Sequence, residues 1–349
     1  MQTYELASGH RISRVIKGGW QLAGGHGDID RQTSIEDMIA FADAGITTFD
    51  CADIYTGVEA LIGEFRKEYE RVRGADALDK IKVHTKFVPD LGNLATLKKA
   101  DVAAAIETSL KRLNMERLNL VQFHWWDYEI DRQVEVACWL AELRQEGKVA
   151  NIGGTNFDTE QMLRIIDAGV PLVSMQVQYS LIDDRPSRSM AKAAAEHGVR
   201  FLCYGSVGGG LFSERMLGVP ELTHPFENRS LIKYKLIVDE FGGWDLFQEL
   251  LQVLSTIAAR HESDIASIAS RAVLERPGVA AVIVGARNRN HLDRNLAIPD
   301  IKLSEADFAD INAVLGRANP VPGDVYTLER DRNGRHGSVM KYNLNKEGH

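Results

Sequence analysis

Apolar residues recur along this chain in two alternating rhythms. Ile35, Met38, Ile39 and Ala42 fall at i, i+3, i+4 and i+7, the spacing of one helical face. Gly45 stops that helix, because a residue without Cβ takes a left-handed cap cheaply. Thr47, Thr48 and Phe49 then read as a short buried strand, since β-branched and aromatic side chains favour that state. The alternation continues with a strand at residues 81–88, a helix lined by Val102, Ile106, Leu110 and Leu113, and a strand at 120–124.

The second half repeats the theme. A helix through Val134, Cys138 and Ala141 ends at Gly147, before a strand at 149–153. Helices around 162–166 and 190–194 end at Gly169 and Gly198, before strands at 172–176 and 201–204. A helix within 265–274 precedes the strand at 281–285. At the start, residues 4–16 read as a hairpin turning at Ser8-Gly9-His10, and 15–22 as a strand carrying Gly18, Gly19 and Trp20. Strands separated by helices of ordinary length imply parallel pairing with right-handed crossovers, and about eight of them point to a (β/α)8 TIM barrel. One such α/β domain would span 1–349. A doubly wound sheet is the rival, but no Gly-x-Gly-x-x-Gly follows the first strand.

Two segments break the rhythm. Residues 206–245 form a long connection after the seventh barrel strand, with Gly208-Gly209-Gly210 near its start; loops of this length tend to be lids or binding loops. The tail, 319–349, carries Pro320, Pro322, Gly323 and several arginines without periodicity, and reads either as a disordered end or as an extended arm over the barrel.

Composition narrows the classes. With 44% hydrophobic and 26% charged residues the chain has ample material for a core. A net charge of −8 and no long basic block argue against nucleic acid or an anionic membrane as partner. No apolar run approaches the roughly 20 residues of a membrane span, and the first residues lack a signal-peptide core. Cys51, Cys138 and Cys203 are scattered and odd in number, as expected of reduced thiols in a cytoplasm rather than a disulfide frame or zinc site. Oligomeric state is not legible.

If the strands close into a barrel, the polar residues at their C-terminal ends converge on one mouth. Asp50 ends one strand with Tyr55 in the following loop, and Lys86 and His124 end the next two. Singly, each has a bland reading: a helix cap, a solvated strand-end lysine, a core histidine. Together, in order and each at a strand end, they read as a catalytic constellation. Asp53 and Asp127 read as helix caps.

Gly45-Ile46-Thr47-Thr48-Phe49-Asp50, followed by Tyr55 and Glu59, resembles the Gly-Phe-Asp to Tyr signature of the aldo-keto reductases. Asp50, Tyr55, Lys86 and His124 match that family's tetrad residue for residue, and residues 109–113 with 120–125 resemble the segment leading into its histidine. The resemblance implies an NADP-dependent oxidoreductase, with NAD the alternative cofactor and a small carbonyl compound or sugar as substrate. It implies that Thr155, Asn156 and Gln176 hold the nicotinamide carboxamide and that Tyr204 stacks on the ring. Gly19, Trp20 and Asp50 would border the cofactor, and Gly205, Ser206, Val207, Gly208, Gly210 and Leu211 would pass its pyrophosphate. Gly285, Arg287, His291 and Asn295 fall where the family binds the adenosine phosphate and adenine. The chain departs from the family at Gly205, where many members have Ser, at Gly285, where many have Lys, and at His291, where many have Arg.

The matched residues suit carbonyl reduction, which needs a hydride on carbon and a proton on oxygen. A free tyrosine has a pKa of about 10, and a cationic lysine beside it stabilises the phenolate and lowers that value. Lys86 would do this for Tyr55, Asp50 would fix Lys86, and His124 would donate to the substrate oxygen. Trp20, Phe87 and Trp125 would wall the substrate with Tyr55 and His124, while Trp126 packs under a loop. The alternatives are an alcohol or sugar dehydrogenase run in the oxidative direction and a regulatory cofactor-binding barrel like the channel β-subunits. A metal-dependent hydrolase using Asp50, His124 and Asp127 is a third, although Lys86 would repel its cation.

Overall fold

The computed structural model describes residues 1–23, 29–223, 225–226 and 228–347. His224 and Glu227 of the long connection and the last two residues of the tail lie outside them. An antiparallel hairpin, β1 (Thr3–Ala7) and β2 (His10–Ser13), comes first. Next come β3 (Val15–Gly18), α1 (Arg31–Asp43), β4 (Thr48–Asp50), α2 (Val58–Arg73), α3 (Ala75–Leu78), β5 (Lys82–Phe87), α4 (Lys99–Leu113) and β6 (Leu120–Phe123). They lead into α5 (Gln133–Gln145), β7 (Ile152–Thr155), α6 (Thr159–Asp167), β8 (Leu172–Gln178), α7 (Ser189–Glu196) and β9 (Arg200–Tyr204). The remainder is α8 (Arg229–Phe241), α9 (Trp244–Arg260), α10 (Ile265–Leu274), β10 (Val279–Gly285), α11 (Leu292–Ala297), α12 (Glu305–Leu315) and α13 (Thr327–Arg330). Strands β3 to β10 pair in parallel and close with β10 beside β3, so the fold is a (β/α)8 TIM barrel with an N-terminal hairpin.

Local chemistry sets the boundaries. Asp30, Asp158, Asn228 and Asp264 each accept a hydrogen bond from a backbone N–H in the first turn of α1, α6, α8 and α10, satisfying a donor the helix leaves unpaired. Gly45 has φ 98°, the left-handed geometry expected of the stop after α1. Most of the core lies between barrel and helices, where Phe41, Phe49, Phe65, Phe123 and Phe157 are fully buried. Burying one such ring is worth about 1.5–3 kcal/mol. The hairpin plugs the other end of the barrel, with Leu6 and Ile12 packed on Ile16, Leu120 and Leu202.

Three expectations change. β3 stops at Gly18, and Trp20–Leu22 forms a 3-10 turn, because Gly19 N–H donates to Asp50 O at 2.7 Å and turns the chain inward. β7 begins at Ile152, Val149 making only a bridge to Leu118. Residues 206–245 are not an open loop: Leu231, Tyr234, Val238 and Phe241 are the buried face of α8, a helical spacing overlooked beside the glycines. The tail, read as either a disordered end or an arm, packs against the barrel. Val321, Val325 and Tyr326 are buried, Arg188 donates to Val321 O at 2.8 Å, and Asn345 donates to Val88 O at 2.9 Å.

Candidate active site

Strand ends place the tetrad. Asp50 closes β4, Lys86 is the penultimate residue of β5, His124 follows β6, and Tyr55 lies in the turn before α2. All four line one cavity of about 1050 Å³. Lys86 Nζ donates to Asp50 Oδ2 at 2.6 Å and to Cys51 O at 2.8 Å, and lies 5.0 Å from the centre of the Tyr55 ring. Asp50 Oδ1 accepts from Gln176 Nε2 at 2.6 Å and Gln122 Nε2 at 3.1 Å, so the carboxylate is held on both oxygens.

Burial alone would push the Lys86 ammonium toward its neutral form, but the Asp50 carboxylate beside it wins and the net shift is upward. Tyr55 responds the other way. Burial raises its pKa by more than Lys86 lowers it, so the phenol is not held below its ordinary value as expected, and it keeps its proton at neutral pH. His124 Nδ1 lies 3.0 Å from Thr155 O. A carbonyl oxygen only accepts, so Nδ1 carries the ring proton. Burial, and after it the Arg330 guanidinium, hold the His124 pKa down to about 3, so the ring is neutral. Nε2 therefore bears a lone pair, the reverse of the donor expected.

Thr155, Asn156, Gln176 and Tyr204 line the same cavity. Tyr204 Oη donates to Asn156 Oδ1 at 2.8 Å. With Gln176 Nε2 committed to Asp50, the groups left without a hydrogen bond among the described residues are the Asn156 amide nitrogen and the Gln176 amide oxygen. Trp20 meets the Tyr55 ring edge-on at 5.0 Å. Gly205, Val207 and Gly210 line the wall after β9, whereas Ser206, Gly208 and Leu211 turn away from it. Ser206 Oγ pairs with Ser270 Oγ and Leu211 is fully buried. Gly19 is likewise behind the wall, with Gly18 and Gln21 in front. Gly285, His291 and Asn295 line the far end together with Arg294, but Arg287 does not.

Two of the three departures from the family, Gly205 and Gly285, have steric partners. Gly205 has φ 76°, and a Cβ there would sit 2.7 Å from Tyr234 Oη. At Gly285 a Cβ would meet Gln21 Nε2 at 2.2 Å, so the Gln21 amide fills the space a longer residue would need.

The substrate wall differs from expectation. Phe87 and Trp125 are buried outside the cavity, because side chains alternate along a strand and Lys86 and His124 take the inward direction. Phe87 stacks on Phe123, and Trp125 Nε1 donates to Asp127 O and Ile130 O, both at 2.9 Å. Trp126, expected under a loop, lines the cavity and meets His124 edge-on at 4.3 Å. Asp53 caps no helix; it accepts from Ile54 N and Val88 N. Asp127 accepts from Glu129 N and pairs with Arg332 rather than turning to Asp50 and His124. Sequence reading missed Gln122, Lys233, Tyr326 and Arg330. Gln122 was findable, two residues before His124 on the same inward face. The others come from α8 and the arm. Lys233 Nζ sits 4.8 Å over the Tyr204 ring, Tyr326 meets His124 edge-on at 5.6 Å, and Arg330 donates to Trp126 O and Asn156 O.

A model of the Aldo/keto reductase family matches residues 14–315. The chain is 30% identical over 320 residues to aldo-keto reductase YhdN of Bacillus subtilis (strain 168), covering 88% of this chain and 91% of that one. It is 23% identical over 322 residues to the NADH-specific methylglyoxal reductase of Escherichia coli (strain K12), covering 85% and 92%. The solved structure of glycerol dehydrogenase AKR11B4 from Gluconobacter oxydans shares the fold, with a TM-score of 0.75 at 23% identity over 90% of this chain and 95% of that one. With Asp50, Tyr55, Lys86 and His124 gathered in one cavity and the family's pattern running along nearly its whole length, the chain belongs to the Aldo/keto reductase family of oxidoreductases.

Proposed function

We propose that the chain transfers a hydride between NADPH and a carbonyl substrate, an aldehyde, ketone or sugar, and in reverse oxidises the corresponding alcohol. The observation that carries this reading is Lys86 set between Asp50 and the Tyr55 ring inside the cavity. The nicotinamide, when bound, supplies or accepts the hydride. A primary carboxamide needs one donor and one acceptor, which the Asn156 amide nitrogen and the Gln176 amide oxygen offer. Val207, Gly209 and Gly210 would face the pyrophosphate, and His291, Arg294 and Asn295 the adenosine end.

Tyr55 starts protonated and gives its proton to the substrate oxygen as charge develops there. Lys86 then stabilises the phenolate left behind, and Asp50 keeps the ammonium in place. Gln122 and Gln176 fix Asp50 in turn. Three free thiols and the absence, among the described residues, of any helix long and apolar enough to cross a membrane fit action in a reducing cytoplasm.

The test is Tyr55→Phe, read by cofactor oxidation against a panel of aldehydes, ketones and sugars. Turnover should fall by about 10²-fold or more while cofactor affinity is kept. Near-normal turnover would remove Tyr55 from the role of proton donor.

A further inference from the structure

We infer that Lys233 gives the cavity a subsite for an anionic group, so that the preferred substrates are carbonyl compounds carrying a carboxylate. This rests on reading the cavity as a site for carbonyl reduction. Lys233 belongs to α8 and lines the same cavity as Asp50, Tyr55, Lys86 and His124. Its Nζ lies 4.8 Å over the Tyr204 ring, 5.6 Å over Tyr234 and 5.8 Å over Tyr326. Tyr326 in turn meets His124 edge-on at 5.6 Å, so one aromatic ring links the ammonium to the imidazole.

Among the described residues, no carboxylate pairs with this ammonium. Its hydrogen bond to Tyr204 Oη is long, at 3.5 Å, and an ammonium has three donors, so two are left over. The carboxylates lining the cavity are engaged elsewhere: Asp50 with Lys86, Asp264 with Arg294, and Glu214 with the Ile265 N–H. Glu329 and Asp183 act on Lys233 from farther off, but both hold Arg185, whose own charge opposes them. Burial brings the Lys233 pKa down to about 8, which still leaves a cation at pH 7. Three tyrosine faces attract that cation without neutralising it.

An anionic substituent on the substrate supplies the missing counterion and takes up the open donors in charge-assisted hydrogen bonds. A neutral ester or amide accepts a hydrogen bond but leaves the charge unbalanced. One ammonium with two open donors suits the single charge of a carboxylate, whereas a phosphate dianion calls for a second cation. Arg330, which also lies over Tyr326, spends its guanidinium on the Trp125, Trp126 and Asn156 carbonyl oxygens. The chain as a whole carries a net charge of −8 and repels anions, so a preference for them has to come from a local cation.

The experiment compares meta- and para-formylbenzoate with their methyl esters in the full-length protein, with NADPH and again with NADH. The ester withdraws electrons more strongly, so intrinsic carbonyl reactivity favours it, and a preference for the acid must come from the protein. For at least one isomer kcat/KM should favour the acid by about tenfold to a hundredfold. Lys233→Met should abolish that preference, and Lys233→Arg, which keeps the charge, should retain more of it. Independently of turnover, calorimetry should show the matching hydroxymethylbenzoate binding at least about tenfold tighter than its ester to the parent protein and not to Lys233→Met. No preference for either acid, or a preference unchanged in Lys233→Met, would overturn the inference. Weakened NADPH binding in Lys233→Met with the acid-to-ester ratio intact would assign the lysine to the cofactor and overturn it equally. A Lys233-dependent preference for carboxylates in binding, without cofactor oxidation by any carbonyl, would instead overturn the reductase reading and leave the anionic subsite standing.

Discussion

Arg185 and Glu329, 144 positions apart in the chain, meet in a two-pronged ion pair with both contacts at 2.9 Å and side chains almost wholly buried. Asp183 holds the other side of the same guanidinium, at 2.9 and 2.7 Å. This triad pins α13 of the arm to the loop after β8, and so holds Tyr326 and Arg330 against the site. Without the Glu329 carboxylate, Asp183 still balances Arg185, but two buried charge-assisted hydrogen bonds to the arm are weakened, each worth about 1.5–3 kcal/mol. Glu329→Gln should lower the melting temperature and open residues 320–345 to proteolysis before the barrel unfolds. If the arm stays as resistant as in the parent protein, the triad is not its anchor.

Arg330 ties the loops after β6 and β7 together. Its guanidinium donates to Trp125 O, to Trp126 O at 3.0 Å and to Asn156 O at 2.7 Å, while lying 3.8 Å over the Tyr128 ring. His124 and Asn156 sit in those loops, and the same charge helps keep the His124 pKa low. Arg330→Met should raise that pKa and lower kcat/KM, whereas Arg330→Lys should keep more of the pKa effect than of the activity, because an ammonium lacks the planar fork. Titration of the His124 ring by NMR reads the first effect. An unmoved pKa in the methionine variant would confine Arg330 to packing.

How much of this was legible in the sequence follows from the physics of each part. The barrel, and the meeting of Asp50, Tyr55, Lys86 and His124 in one cavity, were readable because helix and strand spacings, and residues at strand ends, are local features. Asp50, Lys86 and His124 share a cavity as soon as the strands pair in parallel. The substrate wall was misread where direction mattered: Phe87 and Trp125 are next to the inward residues and so must point outward. The arm was not readable, since Glu329 finds Arg185 only in three dimensions. The departures at Gly205 and Gly285 became intelligible only when Tyr234 and Gln21 were found in the space beside them.

On the proposed reading, cofactor choice would turn on the far end of the cavity. Sequence reading placed Arg287 with His291 where the family binds the adenosine phosphate, but Arg294 and His291 line the cavity and Arg287 does not. Arg289 is engaged with Asp37 at 3.2 Å. Arg294 is 60% exposed and 3.1 Å from Asp264, so it is paired yet able to swing to a phosphate. A charge-assisted contact contributes about 1.5–3 kcal/mol, or roughly tenfold to a hundredfold in affinity. Arg294→Ala should weaken NADPH by at least that lower bound and change NADH little, with Arg287→Ala the milder of the two. The NADH-specific relative in Escherichia coli makes the control pointed: a parent protein that binds NADH more tightly, or equal losses for both cofactors, would refute the assignment.

The hairpin plug predicts how the fold responds to acid. His10 Nε2 and His84 Nε2 face each other at 3.0 Å, a distance that needs one proton between them and leaves no room for two. Burial, and then Lys82, hold the His10 pKa down to about 4; burial, His10 and Lys86 push His84 well below its ordinary value. In the unfolded chain both rings take up protons near pH 6.5. Their folded pKa values are depressed, so the unfolded state binds more protons below that point. Stability is therefore full above about pH 6.5 and is lost as pH falls toward 4, at up to about 1.4 kcal/mol per pH unit for each ring. His10→Gln removes one titrating ring while keeping a hydrogen-bond partner for His84. The decline of melting temperature between pH 6.5 and 4.5 should be measurably shallower in that variant than in the parent. Parallel curves would mean that the pair plugs the barrel without sensing pH, and that the acid limb belongs to buried carboxylates such as Glu329, whose pKa is held at about 2 against its own burial chiefly by Arg185.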